Sequence, residues 1–135
     1  MRSLLLISFS LVLAGCVVRV ASPRDHRVAP AAALLRVDAV HHGVLDGGST
    51  MSEWVCLEAE RGGRAALVLE LEDPGAEGAL FLRDRTGAAL QSIGFGGGRP
   101  ITELFVTVDE RRLSRCVELR PKAGLTMYKL RWRYR

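Results

Sequence analysis

The sequence predicts an all-β chain: a single antiparallel β-sandwich or jelly roll of seven to eight short strands. Three observations carry that expectation. In the last stretch Tyr128, Leu130, Trp132 and Tyr134 alternate with Lys129, Arg131, Arg133 and Arg135. A strand gathers such a set on one side, whereas a helix scatters it around its circumference. Similar alternating runs recur along the chain, separated by Gly, Pro and Asp turns. No amphipathic stretch long enough for a helix of about ten residues survives inspection, and no internal repeat is visible.

Taken in order, Leu35, Val37 and Ala39 alternate with Arg36 and Asp38 and predict the first strand. His41-His42-Gly43 and Asp46-Gly47-Gly48 read as loop. Glu53 to Glu60 is the second strand, with Val55, Leu57 and Ala59 on one face and Trp54, Cys56 and Glu58 on the other. After the Arg61-Gly62-Gly63 turn, Ala65 to Glu72 places Leu67, Leu69 and Leu71 on one side. Asp73-Pro74-Gly75 ends it, since proline presets a turn and glycine tolerates positive φ. Ala79 to Arg83 follows, then the turn Asp84-Arg85-Thr86-Gly87, then Ala88 to Ile93. Gly94 to Gly98 reads as a flexible connection, with Phe95 either tucked into the core or exposed. Ile101 to Val108, Arg115 to Arg120 and the segment from Tyr128 complete the set. The aromatic residues of that last strand alternate as a buried face does.

The chain has 135 residues, a net charge of +4 and a sequence pI near 9.4. Arginine outnumbers lysine by 17 to 2, which looks like the codon bias of a GC-rich genome and warns against reading every arginine as a ligand. The excess is concentrated. From Arg111 to Arg135 there are nine basic residues and one acidic, Glu118. Lys129, Arg131, Arg133 and Arg135, joined by Arg120 and Lys122 and flanked by Arg111, Arg112 and Arg115, form a candidate face for phosphate or carboxylate. A competing reading pairs Glu70 and Glu72 with Arg131 or Arg133 across strands and treats the last strand as a charged, aggregation-resistant sheet edge.

The start of the chain is of another kind. Met1 and Arg2 precede an apolar run, Leu4 to Leu13, that is too short for a membrane span of ~20 residues and suits a signal-peptide core. It closes on Leu13-Ala14-Gly15-Cys16, which resembles the lipobox of exported bacterial lipoproteins. That resemblance implies a leader over 1–15, cleavage before Cys16 and acylation of its thiol. Residues 16–34, with Pro23, Pro30 and Ala31-Ala32-Ala33, read as a flexible tether with a short helical turn at the alanines, and 35–135 as the sandwich domain. Val17, where enteric-type sorting uses Asp to retain a lipoprotein at the inner membrane, favours the outer membrane, facing the periplasm. Such a position argues against nucleic acid despite the basic pI.

Cys56 and Cys116 are the remaining cysteines. An oxidising compartment favours their pairing, and closure of so long a loop contributes ~4 kcal/mol in the chain-entropy model. Two buried free thiols are the alternative. Both lie on the outward parity of their strands, so a bridge would join neighbouring strands on an outer face rather than cross the core.

Glu53-Trp54-Val55-Cys56-Leu57-Glu58-Ala59-Glu60-Arg61-Gly62-Gly63 resembles the opening of the bacterial pre-peptidase C-terminal domain. Leu80-Phe81-Leu82-Arg83-Asp84-Arg85-Thr86-Gly87 is similar to its apolar strand ending in an Asp-x-x-Gly turn, Val117 and Leu119 to its penultimate strand, and Tyr128-Lys129-Leu130 to its closing Tyr-x-Leu. The likeness covers roughly Asp46 to Arg135. Ala79 stands where that family usually has an acidic residue, which puts a calcium or polar role there in doubt; Val55 replaces its second aromatic, and Cys116 stands where the penultimate strand is often aromatic. The resemblance implies a non-catalytic appendage of exported enzymes, concerned with secretion or polymer binding.

No motif predicts catalysis. There is no Gly-x-Ser-x-Gly elbow, Gly94 to Gly98 lacks the ending of a phosphate loop, and Glu58/Glu60 and Glu70/Glu72 are explained as solvent-facing strand positions. His41 and His42, adjacent on an extended backbone, diverge and chelate poorly, so neither a metal nor a cofactor is expected. The expectation is an outer-membrane lipoprotein that acts as a binding or assembly module. Its candidate partners are an envelope protein, peptidoglycan or lipopolysaccharide. A structural subunit of a secretion machine and a stand-alone accessory domain of a secreted protease are the alternatives.

Overall fold

A computed structural model describes residues 32–84, 86–108 and 115–135. The leader, Cys16, most of the tether, Arg85, Arg111 and Arg112 lie outside the described residues. Among those described are nine strands and no helix: β1 (Ala33–Leu35), β2 (Val40–Asp46), β3 (Glu53–Leu57), β4 (Gly63–Leu71), β5 (Glu77–Arg83), β6 (Ala89–Gly96), β7 (Ile101–Val108), β8 (Arg115–Ala123) and β9 (Leu125–Tyr134). They form a five-stranded sheet, order β1-β3-β8-β5-β6, and a four-stranded sheet, order β2-β9-β4-β7. Every pairing is antiparallel except that of β1 with β3. The fold is the predicted sandwich.

The period-two pattern explains the core. Leu67, Leu69 and Leu71 of β4 and Tyr128, Leu130 and Trp132 of β9 face inward from one sheet. Val55, Leu57, Leu80, Leu82, Val117 and Leu119 meet them from the other. Burying each such side chain stabilises the fold by about 1.5–3 kcal/mol. The indole of Trp132 donates its Nε1 proton to the Leu35 carbonyl at 3.0 Å. That bond satisfies a buried polar group and ties the start of the domain to its last strand. Phe95 is in the core.

The beginning of the domain departs from the sequence reading. Leu35 to Ala39 is not a strand: β1 ends at Leu35, and residues 36–39 turn the chain from one sheet to the other. Asp38 takes a left-handed φ of 61°, a region that Asp tolerates better than most residues. Its amide donates to the Trp132 carbonyl at 2.9 Å. Val37 still packs on the core, which is why alternation misleads here. Ala33, assigned to a helical turn, and Leu34, assigned to the tether, are strand. His41-His42-Gly43, read as loop, lies in β2. Gly43 sits opposite Tyr128, and a Cβ there would come within 2.6 Å of the phenol ring, so the ring covers bare backbone. Burial first, and the Glu53 carboxylate second, push the Tyr128 hydroxyl well above its ordinary pKa.

β5 and β9 begin earlier than their patterns, at Glu77 and Leu125, and β6 and β8 end later. β6 continues through Phe95 to Gly96, whose φ of +75° places its backbone against Ala76. β8 passes Pro121 because the ladder with β5 shifts register between Glu77 and Gly78, a bulge that accepts a residue without an amide proton.

Candidate functional site

The six basic residues proposed from sequence do not share a face. Arg120 and Lys122 lie on β8, in the five-stranded sheet, whereas Lys129, Arg131 and Arg133 lie on β9, in the four-stranded sheet, and Arg135 follows directly. Outward positions on the two sheets of a sandwich point in opposite directions. Nor is β9 an edge: it sits between β2 and β4, so an edge-protecting role for its charges falls away.

On the five-stranded sheet Arg83 and Arg120 are both bonded to Glu118. Arg83 and Glu118 form an ion pair at 2.8 Å with side chains only 5% and 6% exposed. Glu118 also accepts hydrogen bonds from the Ser52 hydroxyl at 2.7 Å and from Arg120 at 3.1 Å. Arg83 donates to the Gly87 carbonyl at 2.9 Å, which pins the turn after β5. The Phe81 ring receives Arg83 and Arg120, whose Cζ atoms lie 5.1 and 4.6 Å from its centroid, and Trp54 lies 5.9 Å from Arg83. Burial alone would raise the pKa of Glu118, but the bonds from Ser52, Arg83 and Arg120 outweigh it and hold the carboxyl below its ordinary value. In the turn, Asp84 is likewise held low, first by the Thr86 hydroxyl.

Beside this cluster Cys56 and Cys116 are bonded, directly opposite one another on β3 and β8 with Cα atoms 3.9 Å apart. The bridge lies on the outward parity of neighbouring strands, as the alternation required.

The four-stranded sheet presents a different outer surface. Its register defines rows across β2, β9, β4 and β7. Val40, Arg131, Val68 and Glu103 form one row, and His42, Lys129, Glu70 and Ile101 the next. Toward one end lie Arg133 with Ala66 and Phe105, then Arg135 with Arg64. Toward the other lie Val44 with Met127 and Asp46 with Leu125. Glu70 therefore stands opposite Lys129, not opposite Arg131 or Arg133 as the neutralising reading required.

Among the described residues the ion pairs are Arg36–Glu58, Arg83–Glu118, Arg120–Glu118 and Arg135–Glu103. Lys129, Arg131, Arg133, Glu70 and Glu72 belong to none of them. Arg64 and Arg135 flank the Phe105 ring at 5.1 and 5.0 Å. Six large apolar side chains on this face are exposed, from Phe105 at 42% to Leu125 at 63%, with Val40, Val44, Met127 and Ile101 between. Shallow depressions of about 160 and 220 Å³ follow β9 past His42, Glu70 and Lys129. Buried Ala66 and Val68 floor the surface.

The sequence reading missed the apolar half of this site, although its parity was available. Ile101 and Phe105 alternate with buried Thr102 and Val106, and Met127 shares the parity of Lys129. His41 and His42 do diverge: His41 lies against Tyr128, 5.9 Å between ring centroids, while His42 points outward. Among the described residues no three His, Cys, Asp or Glu side chains converge as a metal site would require.

No model of a known protein family matches the sequence, and no curated protein does. Solved structures do. The pre-peptidase C-terminal domain of a collagenase from Bacillus anthracis aligns with a TM-score of 0.60 at 10% identity, over 76% of this chain and 94% of its own. CorA, a surface-associated copper-binding protein important in copper acquisition by Methylomicrobium album BG8, aligns with 0.53 at 9% identity, over 77% and 98%. The Yersinia pseudotuberculosis-derived mitogen gives 0.52 at 18%, over 72% and 85%. These likenesses establish the fold, including that of the domain whose motifs the sequence resembles.

Proposed function

We infer that the chain is a non-catalytic binding or assembly module of the bacterial cell envelope, held at the outer membrane by acyl chains on Cys16. Its contacts are made through the outer face of the four-stranded sheet. The observation that carries this reading is the coexistence, on one surface, of unpaired charges and exposed apolar side chains. Interfaces combine apolar contact with polar groups that find partners across the boundary, and Arg131, Arg133, Glu70 and Glu72 lie in no ion pair among the described residues. The lipobox-like Leu13-Ala14-Gly15-Cys16 supports the anchor. Two acyl chains would make detachment slow, at ~0.8 kcal/mol per buried methylene, and the intervening residues would let the domain reach tens of ångströms from the bilayer.

The fold shared with a collagenase's pre-peptidase domain favours a second reading, a stand-alone accessory domain serving a secreted protease. A photo-crosslinking residue at position 127 or 133, compared with position 122 on the opposite sheet, tests the contact face in intact cells. Adducts from 127 and 133 but not 122 are expected. Adducts from 122 alone would overturn the assignment, and a protease among the products would select the second reading. Labelled palmitate should enter the chain and be lost in Cys16→Ser; label that persists would remove the anchor.

A further inference from the structure

The outer face of the four-stranded sheet is polarised along its strands. Arg64, Arg131, Arg133 and Arg135 occupy one end with Glu103 among them, while Glu70, Glu72, Asp46 and Asp73 occupy the other with Lys129 beside Glu70, so each end keeps an excess of one sign; apolar side chains run the whole length. Glu70 and Glu72 lie in no ion pair among the described residues, and neither do Arg131 and Arg133. A uniformly anionic surface such as a lipid bilayer would meet four carboxylates at one end of this face. An occupant with the same polarity reversed meets none of that repulsion. We propose that the occupant is a second copy of this chain, docked face to face; this rests on the contact-face assignment above.

The geometry follows from symmetry. A two-fold axis lying between the sheets and perpendicular to the strands sets the β9 strands of the two copies antiparallel. It places the basic end of each over the acidic end of the other. Such an interface is isologous and closes at two copies. Stacked sheets pack ~10 Å apart at about −30°, a spacing that the side chains of Val40, Val44, Met127, Phe105 and Ile101 can fill. Buried Ala66 and Val68 offer a low floor at the centre.

The face is small. Four strands ~4.8 Å apart and about eight residues long at ~3.4 Å each project ~500 Å², below the ~800 Å² per partner of a standard stable interface. Dissociation constants in the micromolar range or weaker are therefore expected in free solution. Confinement of both copies to one membrane by N-terminal lipid would raise their effective concentration.

Charge swapping tests the proposal. The full chain carrying Cys16→Ser, with its disulfide intact, is examined by analytical ultracentrifugation from about 1 μM to about 1 mM, a span that covers weak dimers. Reversible dimerisation is expected. Arg131→Glu/Arg133→Glu sets two new carboxylates against the acidic end in each of the two contacts, and Glu70→Lys/Glu72→Lys sets two new ammonium groups against the basic end, so each variant alone should associate at least about tenfold more weakly. Mixed one to one, the two variants form a pair in which both contacts are again complementary, and dimer should return. That recovery cannot come from chains that failed to fold. Should a double variant be unfolded, Arg133→Glu and Glu72→Lys replace them in the same design. Lys122→Glu, on the opposite sheet, should leave association unchanged.

A wild-type chain that stays monomeric throughout, or a mixture no better than its components, would overturn the dimer. If crosslinks from positions 127 and 133 then still identify a different molecule, the contact face stands with another partner. If they identify nothing, both readings fall.

Discussion

The two outer surfaces of this sandwich hold similar residues and use them in opposite ways. On the five-stranded sheet Arg83, Glu118 and Arg120 are bonded to one another, enclosed by Trp54 and Phe81 and flanked by a disulfide. On the four-stranded sheet Arg131, Arg133, Glu70 and Glu72 lie in no ion pair among the described residues and stand among exposed apolar side chains. The difference is one of satisfaction. A charge taken from water must be compensated inside the fold, so the first surface belongs to stability. The charges of the second stay exposed to water, available to a partner in the role proposed for that face.

The contrast breaks most sharply at Glu118. Glu118→Ala leaves the Arg83 guanidinium enclosed without its carboxylate and should cost about 3–5 kcal/mol, read as a fall in the denaturant midpoint. Replacing Cys56 and Cys116 together by alanine should cost about 2–4 kcal/mol, given the long loop their bond closes. Chemical denaturation with and without reductant measures this, and the reductant should have no effect on the double variant.

Acidity offers a gentler probe. The folded-state pKa of Glu118 lies below its unfolded value. Its contribution is therefore present above the unfolded pKa, near 4.5, and fades as pH falls below that and through the folded value. Glu118→Gln should flatten this acid limb of the stability curve. The smallest effect belongs to the other face: Arg131→Ala should stay within about 0.5 kcal/mol of wild type in stability. A larger loss there would mean that its charges serve the fold after all.

Much of this architecture was legible from period two alone. Ile101–Val108 has the bounds its pattern predicts, and alternation alone turns Tyr128, Leu130, Trp132 and Tyr134 inward, the first three into the core and Tyr134 partly buried against it. The Cys56–Cys116 bridge on an outer face also followed from parity. Pairing order was not legible, because alternation says which way a side chain points and not which strand stands beside it. That is why Arg120 and Lys122 were grouped with a surface on the far side of the sandwich. The Arg83–Glu118 pair was hidden for the same reason: the two residues are brought together only by the β5–β8 register. At the start of the domain Val37 keeps its apolar contact through a turn, so the pattern persisted where the strand did not.

The placement of β9 sets an order of events. β2, among the earliest strands of the domain, pairs with no other strand than β9 among the described residues, and β4 separates β9 from β7. A chain emerging amino end first, from a ribosome or through a translocation channel, holds Val40–Asp46 without its neighbour until Leu125–Tyr134 arrives. Contacts that span so much of the sequence form late and slowly. Such a polypeptide stays unclosed until β9 is available, and that strand is what commits it to the native state.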